Sequence, residues 1–482
     1  MKPQRQSSSA ATSAAPTPQT LSELRTSGHR FTSVKDEIRQ NLIARLRAGE
    51  DPFPGILGFD ETVRPHLERA LIAGHDVILL GERGQGKTRL IRTLTGLLDE
   101  WSPVISGCEI NDHPYEPVCV RCRRLADELG DELPVSWRHR SDRYGEKLAT
   151  PDTSVGDLIG DIDPVKVAEG RTLGDPETIH YGLVPRTNRG VFCLNELPDL
   201  AERIQVSLLN VLEERDIAVR GYALRLPLDV VLVASANPED YTNRGRIITP
   251  LKDRFGAEIR THYPLSLEDE LAVIGQEAEI TWSTDDSQNA VLPQHLVEVI
   301  ARFTRLVRSS PAVDSRSGVS ARFAIAAAEA VVAAAVRRAA ITGEDQPVAR
   351  ICDLPTIVST LRGKVEFEVS EEGREGEVLE HLLRRATADT FRAKLGSADL
   401  SGLVARFAEG GSVESSELLP AGELLRRIGE VPGLAKIMER LDGDGGESFG
   451  QAAAALEFAL EGLYLMRRLS KDTVDGGSVY RS

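Results

Sequence analysis

In the first half of the chain, short continuous apolar runs alternate with stretches whose apolar residues recur every three or four positions. The runs Asp76–Leu80, Gly190–Leu194 and Val230–Ser235 have the length and apolar character of buried strands. The spacing predicts one helix from Val34 to Leu46 and a second from Glu61 to Ala73. Because strands that alternate with helices build parallel sheets, the pattern predicts an α/β fold with ligands at the carboxyl ends of the strands.

The pattern changes after about Pro264, where the strand signals end and helical spacing continues. The alanine-rich run from Ala324 to Val336 is interrupted by Glu329, so it predicts a packed helix and not a membrane span. Another amphipathic helix is predicted from Phe449 to Leu469. The second half of the chain is therefore expected to be helical.

One stretch carries a recognisable binding chemistry: the sequence GERGQGKT follows the first predicted strand and opens a predicted helix. Its glycines allow backbone N–H groups to converge on phosphate oxygens, while Lys87 would reach the β- and γ-phosphates and the Thr88 hydroxyl would hold Mg²⁺. The expected ligand is a nucleoside triphosphate, and the alternative is a plain glycine turn between core elements. The predicted cofactor-binding residues are Gly81, Glu82, Arg83, Gly84, Gln85, Gly86, Lys87 and Thr88, together with Asn195 after a later strand.

Polar residues follow the other two predicted strands. Asn195 and Glu196 come directly after one of them, and Glu196 would be the general base that polarises the attacking water. Asn237 follows the next strand, where its amide would orient the same water. Further along, Arg254 would neutralise charge on a neighbouring subunit's γ-phosphate. Each of these residues also has a simpler interpretation. Glu196 could be a solvated carboxylate in a loop, Asn237 could belong to an Asn-Pro turn, and Arg254 could form a surface salt bridge.

Between the loop and the second strand lie three cysteines and a histidine with spacing that suits a metal. Cys119 and Cys122 form a C-x-x-C pair, and Cys108 and His113 would complete a tetrahedral site for structural Zn²⁺. Two alternatives stay open at this point. His139 competes as the fourth ligand, and the cysteines could also be buried core residues that bind no metal.

Taken in order, these motifs resemble the AAA+ ATPases, and within them the branch with the magnesium chelatase ATPase subunit and the MoxR-type ATPases. The resemblance covers about Phe53 to Arg322 and begins with Phe53–Gly58, which is similar to the segment that packs on adenine. The remaining matches are Walker A at Gly81–Thr88, Walker B at Leu194–Glu196, sensor 1 at Asn237, the arginine finger at Arg254 and sensor 2 at Ser320–Arg322.

The resemblance implies a protein that binds ATP and Mg²⁺ and hydrolyses ATP in a homo-oligomeric ring, usually a hexamer, whose active sites lie between subunits. Glu196, Asn237, Arg254 and Arg322 would be the catalytic residues. The motor would remodel or load a partner protein, which the resemblance suggests carries a von Willebrand factor A-like metal-binding domain.

Two other functions compete with this one. An AAA+ regulator of transcription or DNA is the alternative, although the chain has no GAFTGA-type loop and no evident DNA-binding helix pair. A small-molecule kinase or GTPase is disfavoured because no Asn-Lys-x-Asp motif occurs and the sensor and finger residues would have no role.

One departure from the family pattern concerns Walker B, which usually reads Asp-Glu and here reads Asn195-Glu196. An amide keeps an acceptor oxygen for a Mg²⁺-bound water but loses the negative charge, so we expect a slow ATPase. From the sequence alone, Asn195→Asp is expected to strengthen Mg²⁺ binding and raise turnover.

Composition narrows the choice further. A net charge of -16 argues against general nucleic-acid binding, because such proteins need a basic face to neutralise phosphates. With 41% hydrophobic residues and five cysteines in 482 residues, the chain is expected to be globular and cytoplasmic. The predicted organisation is a disordered tail at 1–20, a helical segment at 21–50, the AAA+ α/β domain at 51–264, a helical lid at 265–343 and a helical C-terminal region at 344–482.

Overall fold

The structure is a computed structural model that forms two compact units, one ending at His262 and one running from Tyr263 to Ser482. The residues that it describes are 14–168, 178–213, 217–219, 222–224, 226–237, 246–280, 289–314, 318–407, 411–442, 448–474 and 477–482.

Among the described residues, the strands of the first unit belong to one large sheet and three two-stranded ones. They are β1 (Val77–Leu80), β2 (Trp101–Ile105), β3 (Val135–His139), β4 (Tyr144–Leu148), β5 (Gly160–Ile162), β6 (Ile179–Tyr181), β7 (Gly190–Asn195), β8 (Ile217–Val219), β9 (Tyr222–Leu224), β10 (Val230–Ala236) and β11 (Ala257–Arg260). The α-helices of this unit are Leu21–Thr26, Val34–Ala48, Val63–Ile72, Lys87–Thr93, Val120–Leu129, Val155–Leu158, Pro164–Ala168, Leu183–Arg186, Glu202–Glu213 and Thr249–Arg254.

The large sheet has five strands in the order β11-β1-β10-β7-β4, and every pairing in it is parallel. The chain moves from β1 to the β4 edge, returns through β7 and β10, and then reaches β11 on the other side of β1. The strand order thus reverses beside β1, and open α/β sheets bind their ligands at such a point, at the carboxyl ends of the strands. The predicted parallel α/β sheet is confirmed.

The apolar runs are strands because both faces of this sheet are covered. On β1, Val77 and Leu79 pack into a cluster with the helices Val34–Ala48 and Val63–Ile72. Ile78 and Leu80 point to the opposite face and pack into a second cluster. A strand buried on both faces is continuously apolar, which is the pattern in the sequence.

The first predicted helix spans Val34–Ala48 and has a favourable capping residue at each end. The Ser33 hydroxyl accepts a hydrogen bond from the Asp36 amide at 3.2 Å, and Gly49 ends the helix with φ of 68°. Of the predicted disordered tail, residues 1–13 lie outside the described residues. Its end is not disordered, because Gln19 O accepts from the Val135 amide at 2.8 Å and Pro18 O accepts from Trp137 Nε1 at 2.8 Å.

The second unit is mainly helical, as predicted. Its α-helices are Leu267–Glu277, Gln294–Arg308, Ala321–Thr342, Thr356–Leu361, Glu375–Leu395, Ser401–Ala405, Ala421–Ile428, Leu434–Asp442 and Phe449–Leu465. The alanine-rich helix packs through Ala324, Ala327, Ala328 and Val331 into the core of this unit. Among the residues described, no helix has both the length and the apolar character needed to cross a membrane.

The expectation that strands end after Pro264 is wrong. An antiparallel sheet of β12 (Val413–Ser416), β13 (Ser470–Val474) and β14 (Gly477–Arg481) joins the second unit, with β14 in the middle. These strands are short and largely polar, so they lack the apolar run or alternation that would have predicted them.

Candidate nucleotide-binding site

The loop after β1 has the backbone geometry that its glycines permit. Gly86 caps the helix Lys87–Thr93 with φ of 77°, a conformation that residues with a Cβ rarely adopt. A Cβ on Gly81 would lie 2.0 Å from Thr261 Oγ1, which follows β11 and donates to Gln85 Oε1 at 2.7 Å. The loop is therefore folded tightly against the carboxyl end of the sheet.

Lys87 joins this loop to the end of β10. Its side chain is buried, and Nζ donates hydrogen bonds to Asn237 Oδ1 at 2.8 Å, to Glu82 O at 2.8 Å and to Gly81 O. Asn237 is also buried. The structure thus brings together two residues that the sequence assigned separately, to Walker A and to sensor 1.

Asn195 occupies the end of β7 and contacts the loop from the other side. Thr88 Oγ1 donates to Asn195 Oδ1 at 3.4 Å, and Ser235 Oγ donates to the same oxygen at 3.0 Å. Asn195 Nδ2 donates to Glu146 Oε1 at 2.7 Å. The residues predicted to hold Mg²⁺, Thr88 and Asn195, are therefore in contact, together with two residues that the sequence analysis missed.

Glu196 follows directly and has a strained backbone. Its φ of 55° lies in the left-handed region, which is unusual for a residue with a Cβ, and its amide donates to Ser235 Oγ at 3.3 Å. Such conformations persist where the surroundings impose them, and they concentrate at functional sites. Here the turn sets Glu196 directly beyond the strand end, next to Asn195.

The two predicted arginines are exposed. Arg254 ends the helix Thr249–Arg254 and forms an ion pair with Glu213. Arg322 lies in the first turn of the helix Ala321–Thr342, in the second unit, and its amide donates to Ser320 Oγ at 3.0 Å. Within a single chain, Arg254 therefore has the surface salt bridge that was its alternative interpretation.

Phe53, which opens the segment expected against adenine, is part of the protein core. Its ring is fully buried, and the Arg64 guanidinium carbon lies 5.8 Å from the ring centroid. Any contact of this segment with a base would therefore have to come from residues after Phe53.

The three cysteines predicted to bind metal do come together. One sulfur from each of Cys108, Cys119 and Cys122 and a carboxylate oxygen of Asp112 all lie within 4.8 Å of one another. Asp112 is fully buried, and its Oδ2 accepts from the Val118 amide at 2.9 Å and the Cys119 amide at 2.8 Å. Its Oδ1 is buried and has no hydrogen-bond partner. This donor set fits a tetrahedral Zn²⁺ site of three thiolates and one carboxylate.

His113, which the sequence predicted as the fourth ligand, lies outside this cluster. His113 Nδ1 accepts a hydrogen bond from the Tyr115 amide at 3.0 Å, and Nε2 lies 3.2 Å from His29 Nε2. Both ring nitrogens are thus committed away from the sulfurs, and burial lowers the pKa of His113 to about 2. The alternative, His139, is not in the cluster either, because its Nδ1 contacts Ser141 Oγ at 2.8 Å.

The cysteine sulfurs affect one another strongly. Hydrogen bonds from Cys119 and Cys122 lower the pKa of the Cys108 thiol to about 3, and burial raises the pKa of Asp112. The cluster thus places the Cys108 thiolate beside the buried Asp112 carboxyl group, and burying such groups together is unfavourable unless hydrogen bonds or a cation compensate.

The chain is similar to several known proteins. A family model described as the Sigma-54 interaction domain matches residues 172–254. The 38 kDa subunit of magnesium chelatase from Cereibacter sphaeroides is 28% identical over 236 residues, which cover 46% of this chain and 62% of that subunit. The corresponding subunit from Acidiphilium rubrum is 30% identical over 235 residues, with coverage of 46% and 62%. The chain therefore spans less than two thirds of the length of either relative.

Solved structures of lower similarity align over larger parts of the chain. A structure described as modelling of the complex between subunits BchI and BchD of magnesium chelatase has a TM-score of 0.35 and 20% identity, over 68% of this chain and 98% of that one. NtrX from Brucella abortus in complex with ATP has a TM-score of 0.40 and 14% identity, over 76% of this chain and 68% of that one.

The parallel sheet, the phosphate loop after β1 and the polar residues at the neighbouring strand ends define a P-loop nucleotide-binding protein. The matches to the Sigma-54 interaction domain and to the magnesium chelatase subunits support an AAA+ ATPase of the magnesium chelatase branch. An ATPase of this kind uses ATP and Mg²⁺.

Proposed function

We propose that this protein binds ATP with Mg²⁺ and hydrolyses it slowly. The observation that carries the proposal is the convergence of Lys87, Thr88, Asn195 and Asn237 at the carboxyl ends of three adjacent strands. Lys87 and the loop amides would bind the phosphates, while the Thr88 hydroxyl and the Asn195 amide oxygen would hold Mg²⁺ and its water. Mg²⁺ would neutralise charge on the phosphate oxygens during transfer.

The residues at the strand ends would act on the attacking water. Glu196, just beyond β7, would accept its proton, and the Asn237 amide at the end of β10 would orient it. Because Asn237 Oδ1 accepts from Lys87 Nζ at 2.8 Å, the orientation of the Asn237 amide depends on the position of Lys87. A displacement of Lys87 would therefore change the orientation of the Asn237 amide and of the water that it binds.

Assembly into a homo-oligomeric ring, most simply a hexamer, is part of the same proposal. Arg254 is exposed at a helix end, and in a ring it would exchange its ion pair with Glu213 for the γ-phosphate bound by the next subunit. Arg322 would act on the nucleotide as sensor 2. The ring would use ATP to remodel or load a partner protein with a von Willebrand factor A-like metal-binding domain.

A binding experiment tests the first step. Lys87→Ala should weaken ATP binding at least tenfold and abolish hydrolysis, with Lys252→Ala as the matched control because Lys252 is an exposed lysine in the same unit, paired with Glu258 at 2.8 Å. Both variants should keep the thermal unfolding profile of the wild type. Wild-type ATP affinity in Lys87→Ala would refute the proposed site.

A second candidate function is an AAA+ regulator of transcription, which the match to the Sigma-54 interaction domain over residues 172–254 supports. The absence of a GAFTGA sequence in the chain speaks against it. Pull-down with a purified sigma-54 factor and with a von Willebrand factor A domain, each with a non-hydrolysable ATP analogue, separates the two candidates. Nucleotide-dependent capture of only the sigma factor would reverse the order of preference.

We also propose that Cys108, Cys119, Cys122 and Asp112 hold one structural Zn²⁺. The buried Asp112 Oδ1, which has no hydrogen-bond partner, supports this proposal because zinc would satisfy it together with the three sulfurs. The segment between β2 and β3 would then be held by metal as well as by packing.

Elemental analysis of the protein, purified without chelator, tests this metal. About one zinc per chain is expected, falling to near zero in Cys119→Ser. Cys193→Ser is the matched control, since Cys193 is a buried cysteine on β7 outside the cluster. A folded wild type that holds no zinc after purification and takes up none on titration would refute the proposal.

A further inference from the structure

Glu146 contacts the nucleotide site from the neighbouring strand. It lies on β4, which pairs with β7 so that Glu146 is opposite Cys193. Its Oε1 accepts from Asn195 Nδ2 at 2.7 Å, and its Oε2 accepts from the Tyr144 hydroxyl at 3.0 Å. Arg92, on the helix that carries Thr88, donates from Nε to Oε2 at 3.0 Å. A half-buried carboxylate is therefore held in place from three sides.

This contact fixes which way the Asn195 amide faces. An ionised carboxylate only accepts hydrogen bonds, so the Nδ2 of Asn195 must face Glu146. Its Oδ1 then faces the hydroxyls of Thr88 at 3.4 Å and Ser235 at 3.0 Å, which both donate. The hydrogen-bond network thus leaves one orientation for the amide, with its oxygen toward the predicted magnesium ligand.

We propose that Glu146 is a positioning residue for Mg²⁺. Through its hydrogen bond with Asn195, it supplies the negative charge that the usual Walker B aspartate would carry at position 195. The inference rests on the proposed function, because it assumes that Thr88 and Asn195 hold Mg²⁺ and its water. A hydrogen bond to a carboxylate polarises the amide and increases the negative charge on Oδ1. The pair Glu146–Asn195 acts as a carboxylate extended by one amide group.

The neighbouring arginine does not cancel this effect. The Arg92 side chain is 63% exposed, so solvent screens its charge, whereas Asn195 is buried and meets Glu146 inside the protein. Arg92 ties Glu146 to the helix Lys87–Thr93, which keeps the carboxylate in register with the loop.

The proposal reverses the expectation for Asn195→Asp that follows from the sequence alone. With Glu146 present, the new carboxylate would lie at hydrogen-bond distance from a second one, and the two like charges would repel each other. Asn195→Asp should therefore weaken the site. Glu146→Gln should weaken it as well, because it removes the charge and lets the Asn195 amide turn either way.

The double variant Asn195→Asp/Glu146→Gln exchanges the two groups. The amide introduced on β4 would donate to the carboxylate introduced on β7, so that one negative charge and one hydrogen bond are restored in reverse order. We expect this variant to regain what each single substitution loses, which a merely structural role of Glu146 would not produce.

The experiment measures the affinity for ATP by calorimetry over a series of Mg²⁺ concentrations, with thermal unfolding of the nucleotide-free protein in parallel. Each single variant should lose about 10–100-fold in apparent Mg²⁺ affinity. The double variant should recover to within about threefold of the wild type by the same measure. Glu128→Gln is the matched control, an exposed acid of the same unit that pairs with Arg124 at 3.8 Å.

The outcomes separate this inference from the proposed function. Tighter Mg²⁺ binding in Asn195→Asp, or a double variant no better than Glu146→Gln, would overturn the role of Glu146 while leaving ATP binding intact. A wild type whose ATP affinity does not respond to Mg²⁺ would overturn both proposals.

Discussion

The ammonium nitrogen of Lys87 lies 2.8 Å from the amide oxygen of Asn237, a residue 150 positions later in the chain. The contact exists because β1 and β10 are neighbouring parallel strands whose carboxyl ends meet at the same edge of the sheet. A phosphate-binding cation and a water-orienting amide are thereby joined in one hydrogen-bonded pair. A substitution of either residue should therefore affect the function of the other.

Substitution of Asn237 should separate binding from turnover. Asn237→Ala removes the amide but leaves Lys87 its two carbonyl partners, so ATP affinity should stay within a few-fold and hydrolysis should fall about 10²-fold. Asn237→Asp should instead weaken ATP binding, because an ion pair with Lys87 would compete with the phosphates. Calorimetry and steady-state ATPase assays measure the two effects. Equal ATP affinities for the Asp and Ala variants would contradict the pairing.

Substitution of the proposed general base should trap the nucleotide. Glu196→Gln keeps the size of the side chain and removes its ability to accept a proton, so ATP should bind while hydrolysis falls by about 10²–10⁴-fold. Asp199→Asn, three residues later in the same turn, is a control for the loss of a negative charge. An unchanged rate of single-turnover hydrolysis in Glu196→Gln would mean that another group activates the water.

Mixing two inactive variants should test whether Arg254 acts between subunits. Arg254→Ala should bind ATP and lose at least about 10³-fold in hydrolysis, since arginine fingers contribute that much. In a mixture with Lys87→Ala, an intact phosphate loop on one subunit would meet an intact Arg254 on the next, and part of the activity should return. Failure of every mixing ratio to restore hydrolysis, with oligomers present, would place the arginine outside the active site.

The sequence predicts those parts of the site that depend on local signals. Glycine spacing identifies the loop from Gly81 to Thr88. Continuous apolar residues identify the buried strands before Glu196 and Asn237. The strand β4 escapes prediction because its sequence, YGEKL, is mostly polar at an edge of the sheet. With that strand missing, nothing in the sequence could have linked Glu146 to Asn195, 49 residues away.

The metal cluster also shows that local sequence signals predict only part of a site. The spacing of Cys119 and Cys122 is local and recognisable, and all three predicted thiols are in the cluster. The choice between Asp112 and His113 depends on which way adjacent side chains point, and His113 turns toward His29, far away in the sequence. Spacing rules favour histidine for such a place because it is the commoner zinc ligand, so only the fold could identify the aspartate.

The substitution of Asp112 should therefore lower the melting temperature only when a metal is bound. Asp112→Asn keeps the shape of the side chain, and its amide oxygen would still accept from the Val118 and Cys119 amides. If zinc binds, the variant loses a charged ligand, so its zinc affinity should fall and its melting temperature should drop. If the cluster holds no metal, the same change removes a buried carboxylate with an unsatisfied oxygen, so the melting temperature should rise or stay the same.

His113→Ala should leave the zinc content at about one per chain, because its ring nitrogens contact Tyr115 and His29 and not the metal. Melting curves with and without added zinc, together with the zinc content of both variants, decide the matter: loss of zinc in His113→Ala with retention in Asp112→Asn would show that the histidine, and not the aspartate, is the fourth ligand.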